Sequence, residues 1–268
     1  MKRNLKDIDL FLLDQDGTIY NEETLIPGAL EFFHLLQEQG KKYAFMTNNS
    51  SKGKSSYVQK LNKLGIYATE DYIVSSVNAT VKYLKNQKIG AKLYVVGTNS
   101  FIEELTQEGF IIVSEDYRGA DIDFVLVGFD TELNYKKVYG ACYYINRGYP
   151  YIATNCDLRC PIGDHKFIPD CGAITKMIEL ATERQPVFLG KPERVIVDSA
   201  AEKWNVPVER IACVGDRLYT DIQVGINAGC TTICVYTGET SPNAVKMGSI
   251  KPDYCFNSIY DLYLVLRS

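Results

Sequence analysis

No apolar stretch in the 268-residue chain approaches the ~18 residues that a membrane-spanning helix needs, so a helical membrane protein is excluded. The N-terminus carries early positive charge at Lys2 and Arg3, but only a short apolar run, 10–13, precedes the first acid. That is too little for a secretory leader, and a cytoplasmic location is expected. Basic runs are missing too. With 29 basic residues against 33 acidic ones the net charge is -4, which gives nucleic acid no electrostatic footprint. Histidine is scarce, with His34 and His165 alone, and no C-x-x-C pair occurs among the eight cysteines, so zinc lacks its usual ligand spacing. A cytosolic chain of this length has no need of disulfide staples. Cys213, Cys230 and Cys234 lie in or beside apolar runs and read as small buried residues. A nucleophilic cysteine would need a base, and no histidine lies near any cysteine of that group in sequence.

What is present is a 46% apolar chain, long enough for about two domains, in which strand and helix patterns alternate. Apolar runs at 8–13, 41–46, 73–75, 187–189, 211–215, 231–236 and 254–256 read as strands of one parallel sheet. Helical spacing at 29–39, 55–64, 78–85, 193–204 and 259–266 supplies the crossovers. A second alternation fills the middle, with strands at 92–97, 110–113, 123–127 and 151–154 and helices at 100–108, 135–146 and 172–182. No low-complexity linker separates the two patterns, so the middle one reads as an insertion. The expected fold class is α/β, a Rossmann-like parallel-sheet core with an inserted α/β cap. The core is expected in residues 1–78 and 188–268 and the cap in 79–187.

Chemistry-bearing residues gather at the strand ends, where open parallel sheets bind ligands. Asp14 and Asp16 follow the first strand two residues apart, so both can face one crevice, and Gly17 allows a sharp turn. Two like charges so close call for a cation, and Mg²⁺ is the usual partner of oxygen ligands. The second strand ends in Thr47-Asn48-Asn49-Ser50-Ser51, whose hydroxyls and N–H groups suit an anion. Lys191 follows a third run, and Asp216 and Asp221 a fourth. Carboxylate nucleophile, divalent metal, hydroxyl and lysine are the parts of phosphoryl transfer.

The order D-x-D-G-T, T-N-N, G-K-P, G-D-x-x-x-x-D resembles the haloacid dehalogenase (HAD) superfamily of Mg²⁺-dependent phosphatases. T-N-N-S-S and G-D-R-L-Y-T-D-I are similar to subclass IIA, the NagD-like or p-nitrophenylphosphatase-like branch, and the resemblance spans essentially the whole chain. It implies Asp14 as nucleophile and metal ligand. It implies Asp16 as general acid/base, its carbonyl toward the metal, and Asp216 as the remaining protein ligand. Thr47 and Asn48 would bind the phosphate, with Asn49 beside them, and Lys191 would neutralise Asp14 and the phosphate. Asp221 would hold metal-bound water or orient Lys191; the plain alternative is an N-cap for the following helix. Gly128-Phe129-Asp130 and Thr154-Asn155-Cys156-Asp157 stand where the branch has substrate-facing loops, which makes Asn155 a candidate binding residue. Cys156 departs from the proline usual there. His165, in the Asp164-His165-Lys166 loop, reads as a solvated loop histidine rather than a substrate contact, and His34 as structural.

The expected function is hydrolysis of small phosphorylated metabolites, such as sugar phosphates or nucleoside monophosphates, through an aspartyl-phosphate. The alternatives are a dehalogenase, which would not need Asp16, a phosphomutase, and an inactive phosphometabolite-binding or scaffold protein. The expected partners are the metabolite alone, with no nucleic acid and no membrane; a homodimer is left open.

Overall fold

A computed structural model of the chain describes residues 3–162 and 166–268, so His165 lies outside the described residues. The chain forms two compact units. The first comprises the chain up to Thr47 together with Lys54–Val74 and Lys191–Ser268; the second is Asn48–Gly53 plus Ser75–Gly190. The run at 187–189, read from the sequence as a strand of the core sheet, instead pairs as Val187–Phe188 with Tyr151–Ala153 of the second unit, because its partners lie there. The short segment Asn48–Gly53 was expected in the core and instead belongs with the second unit.

The first unit is built on a six-stranded sheet in the order Tyr254–Phe256, Thr231–Val235, Ile211–Gly215, Leu10–Leu13, Lys42–Thr47, Ile73–Ser75. Leu10–Leu13 is buried at every position, as a strand covered on both faces must be. Its side chains alternate between two cores. Phe11 and Leu13 pack with Phe32, Phe33 and Leu36 of helix Ala29–Glu38 and with Leu262 and Leu266 of helix Ile259–Arg267. Leu10 and Leu12 pack with Ile196, Val197 and Ala200 of helix Val195–Trp204 and with Val224 and Ala228 of helix Gln223–Ala228. Each fully buried Val, Leu, Ile or Phe side chain among them contributes roughly 1.5–3 kcal/mol of transfer free energy. Leu10–Leu13 pairs in parallel with Ile211–Gly215 on one side and Lys42–Thr47 on the other. The chain therefore leaves the first strand on opposite flanks, and a crevice opens beyond its C-terminal end. His34 sits on the exposed side of its helix.

The second unit has a five-stranded sheet in the order Val187–Phe188, Tyr151–Ala153, Phe124–Val127, Lys92–Val96, Ile111–Ile112, parallel throughout. Here too the strands serve two cores. Tyr94, Val96, Val125 and Val127 face Ala141, Tyr144, Ile174 and Ile178, while Leu93, Val95 and Leu126 face Val81, Leu84, Phe101 and Leu105. Elements without an apolar run were not anticipated: the hairpins Tyr20–Asn21/Thr24–Leu25 and Arg159–Pro161/Phe167–Pro169, a π-type turn at Leu218–Ile222, and the helix Pro242–Met247. Among the described residues, no helix is long and apolar enough to cross a membrane. All eight cysteines are free thiols.

Candidate active site

The sheet register fixes which strand-end residues meet. Leu13 lies opposite Val214 and Phe45, and the Asp14 N–H donates to the Val214 carbonyl at 2.8 Å. Asp14, Thr47 and Asp216 thus emerge at neighbouring strand ends. The Lys191 ammonium reaches the same place, donating to Asp14 Oδ1 at 2.7 Å and to Asp221 Oδ1 at 2.6 Å. Lys191 is 3% exposed and Asp221 fully buried. Asp221 Oδ2 accepts the Arg217 N–H at 3.0 Å. Of the roles left open for Asp221, the geometry shows an oriented Lys191; the helix Gln223–Ala228 has no side-chain cap. The close fit of Asp221 also explains the glycine of G-D-x-x-x-x-D, because a Cβ on Gly215 would overlap the Asp221 side chain.

Asp16 is exposed, on the turn that closes through Gly17 N–H to the Tyr20 carbonyl at 2.9 Å. Gly17 holds φ +85°, a left-handed conformation that suits glycine, and there a Cβ would come within 2.8 Å of the Asp216 carboxylate.

The charges in this cluster do not balance. Asp14, Asp216 and Asp221 face the cations Lys191 and Arg217. Burial, then repulsion from Asp221, pushes the Asp14 carboxyl up to about 8 against the pull of Lys191. Burial and Asp221 likewise raise Asp216 to about 7. For Lys191, burial works to lower the pKa, but the Asp14 and Asp221 carboxylates outweigh it and hold the ammonium above its ordinary range. Arg217 is raised in the same way, its burial overcome by Asp14, Asp221 and Asp216.

A divalent cation fits this shortage. Asp14, Asp216 and Asp221 each offer an oxygen, all within 4.8 Å of one another. Asp216 Oδ1 is buried and reached by no hydrogen-bond donor among the described residues, an arrangement that is costly without a cation partner. An all-oxygen carboxylate set of this kind suits Mg²⁺.

The T-N-N-S-S segment divides between the two units. Thr47 ends a strand of the first and is nearly buried. Asn48 begins the second, where its Nδ2 donates to Asp157 Oδ2 at 2.6 Å and its carbonyl accepts from Ser76 Oγ at 2.8 Å. Asn49 Oδ1 accepts the Ser51 N–H and hydroxyl, closing the turn. Ser50 Oγ shares a hydrogen bond with Thr154 Oγ1 at 3.0 Å and accepts the Phe129 N–H at 2.8 Å.

Asn155 lies in the second unit's interior and has no solvent exposure. Its Oδ1 accepts from Thr154, and its Nδ2 donates to Asp157 at 2.9 Å and Asp170 at 3.1 Å. The side chain is saturated by these partners, so the structure places it in an internal network rather than at an open face. The Gly128-Phe129-Asp130 loop is also closed: Phe129 is buried, and Asp130 pairs with Lys137 at 2.9 Å.

Sequence reasoning missed one strand end. Residues 237–240, Thr-Gly-Glu-Thr, follow the strand Thr231–Val235, and the Glu239 N–H donates to Asp216 Oδ2 at 2.6 Å. Its chemistry is carried by main chain, which leaves no side-chain signature. The one available signal was a further glycine just past an apolar run.

Comparisons with known proteins identify the family of the chain. Residues 11–111 match the haloacid dehalogenase-like hydrolase family, and residues 188–262 match a HAD-hydrolase-like family. The chain is 34% identical to an acid sugar phosphatase of Staphylococcus saprophyticus over 96% of its own length and 98% of the relative's. It is 34% identical to a 5'-nucleotidase of Bacillus subtilis, covering 93% and 95%. Among solved structures, a 4-nitrophenylphosphatase of Thermotoga maritima superimposes with a TM-score of 0.92 at 38% identity, covering 98% of this chain and 99% of that one.

Proposed function

We propose, from the premise that this chain belongs to the haloacid dehalogenase-like hydrolases and is a phosphatase of the nitrophenylphosphatase-like branch, that it is a Mg²⁺-dependent phosphomonoesterase acting through an aspartyl-phosphate on Asp14. The observation that carries this reading is the Lys191 ammonium held between Asp14 and Asp221, in one cluster with the Asp216 carboxylate, whose buried Oδ1 accepts no hydrogen bond among the described residues.

Lys191 binds one oxygen of Asp14; the other accepts no hydrogen bond among the described residues and is the attacking atom. It forms a bond to phosphorus as the ester P–O bond breaks. The exposed Asp16 carboxyl gives its proton to the leaving oxygen. Asp16, now a carboxylate, takes a proton from the water that attacks phosphorus, the Asp14–phosphorus bond breaks, and phosphate leaves. Thr47 and the Asn48 N–H hold phosphoryl oxygens, and the buried Lys191 ammonium offsets charge that develops there. Asp14, Asp216 and the Asp16 carbonyl would hold Mg²⁺, which when bound neutralises phosphate charge so that a carboxylate can approach it.

The substrates are small phosphorylated metabolites. Relatives carrying the names sugar phosphatase and 5'-nucleotidase leave sugar phosphates and nucleoside monophosphates both in play. Phosphate release across such a panel, with chelator and with added Mg²⁺, tests the reading. Chelation should abolish release from every ester and Mg²⁺ restore it; full activity in excess chelator would overturn the metal assignment.

A further inference from the structure

A carboxylate that holds a metal must present one oxygen in a fixed direction, and Asp216 is built for that. Its Oδ2 accepts the Glu239 N–H at 2.6 Å, while Oδ1 is buried without a donor among the described residues. Main chain closes on the carboxylate from two sides because both neighbours are glycine. A Cβ on Gly238 would overlap the carboxylate, and one on Gly17 would approach its Cγ and Oδ2 to 2.8 Å.

The loop is itself tied down. Thr237 Oγ1 donates to the Gly17 carbonyl at 2.5 Å, and the Thr240 N–H donates to the Asp216 carbonyl at 3.1 Å. The Arg217 guanidinium pairs with the Glu239 carboxylate at 3.4 Å, joining the residue after Asp216 to the residue whose N–H holds it. That pair is only partly exposed, at 19% and 33% of the two side chains, so solvent weakens it less than a surface bridge.

We propose that residues 237–240 are a positioning loop for Asp216: Gly238 and the Glu239 N–H pin one carboxylate oxygen, and the Arg217–Glu239 pair latches the loop, so that Oδ1 is presented to a divalent cation. Glu239 and Arg217 are positioning residues, since they act through Asp216. The inference deepens the metal reading above and rests on it. Groups that orient a metal ligand commonly matter for affinity nearly as much as the ligands do.

The test measures Mg²⁺ binding to the intact, substrate-free chain by calorimetry, with p-nitrophenyl phosphate kinetics alongside. Gly238→Ala and Glu239→Gln should each weaken Mg²⁺ binding about 10-fold or more. Arg217→Gln should weaken Mg²⁺ binding in the same direction as Glu239→Gln, although loss of a cation facing Asp14, Asp216 and Asp221 would by charge alone strengthen it; the double variant should lose little beyond Glu239→Gln, and Arg217→Lys should recover most of the affinity. At saturating Mg²⁺ the ester KM of Gly238→Ala and Glu239→Gln should stay within about 2-fold of wild type, because neither removes an ester contact. If Gly238→Ala does not fold, the two latch variants decide between the outcomes.

Wild-type Mg²⁺ affinity in Glu239→Gln and Arg217→Gln would overturn the proposal. So would a rise confined to ester KM, which would make Arg217 an ester-binding group instead. A wild-type chain that neither binds Mg²⁺ nor needs it would defeat the metal reading itself, a result distinct from either.

Discussion

Both units are parallel sheets with acids just beyond their strand ends, yet they treat those acids in opposite ways. In the second unit the acids after the two inner strands Phe124–Val127 and Tyr151–Ala153 are closed off. Asp130 is paired with Lys137 and accepts the Glu132 N–H, and Asp157 accepts amide protons from Asn48 and Asn155. In the first unit the acids are crowded. Asp14 and Asp216 are pushed up to about 8 and about 7, and a buried Asp216 oxygen lacks any donor among the described residues. An acid at a strand end therefore marks no site by itself. Unbalanced charge does, because only a ligand can restore the balance.

The sharpest way to break this contrast is Asp14→Asn. It should lower phosphate release from every ester by at least about 10⁴-fold, because the proposed phosphoenzyme forms on Asp14 alone. Activity of wild-type order would remove Asp14 from the chemistry.

Asp16→Ala comes next and separates the two carboxylates. Its loss should cost about 10²–10⁴-fold on an alkyl phosphate, whose leaving oxygen needs a proton. p-Nitrophenolate leaves without one, so this substrate should still give a burst of roughly one nitrophenol per site, followed by slow turnover. Rapid-mixing measurements should see that burst and none from a sugar phosphate. Equal bursts from both would show that Asp16 is not the acid.

Lys191→Met should lower kcat/KM by about 10²–10³-fold and weaken inhibition by inorganic phosphate together, since in the proposed mechanism the lost charge serves both bound ester and transition state. Near-normal values in steady-state assays would place Lys191 outside the site.

The smallest effect on rate should come from the second unit. Asp130→Asn leaves the Lys137 ammonium short of its carboxylate partner and should cost about 2 kcal/mol of stability in urea unfolding. Turnover of p-nitrophenyl phosphate by the folded variant should be unchanged. A large loss of rate with stability intact would erase the distinction between the units.

Much of the first unit was legible in the sequence because its central strands are buried on both faces and so read as unbroken apolar runs. The residues just past those runs, Asp14, Thr47 and Asp216, could be located by that alone, whereas Lys191 follows Val187–Phe188, a short edge strand of the second unit's sheet. What was not legible depends on atoms the sequence does not pattern. Glu239 acts through its N–H, and Gly238 through the absence of a side chain. Asn155 looked like a loop residue open to a ligand. Its saturation depends on Asp170, fifteen residues on, folding back to meet it. The membership of Asn48–Gly53 was hidden for the same reason, since the bonds that decide it span about a hundred residues.

That last segment bears on how the second unit could be handled as a part. A piece cut at Ser75 and Gly190 would be continuous and would contain the whole five-stranded sheet. Several of its groups would arrive short of a partner: the Phe129 N–H without Ser50, the Thr98 hydroxyl without the Ser51 carbonyl, the Ser76 hydroxyl without the Asn48 carbonyl, and Asp157 with only the Asn155 amide once the Asn48 amide is gone. Transplanting this unit onto another scaffold, or expressing it alone, requires a short splice supplied from elsewhere in the chain, much as a split protein requires its missing strand.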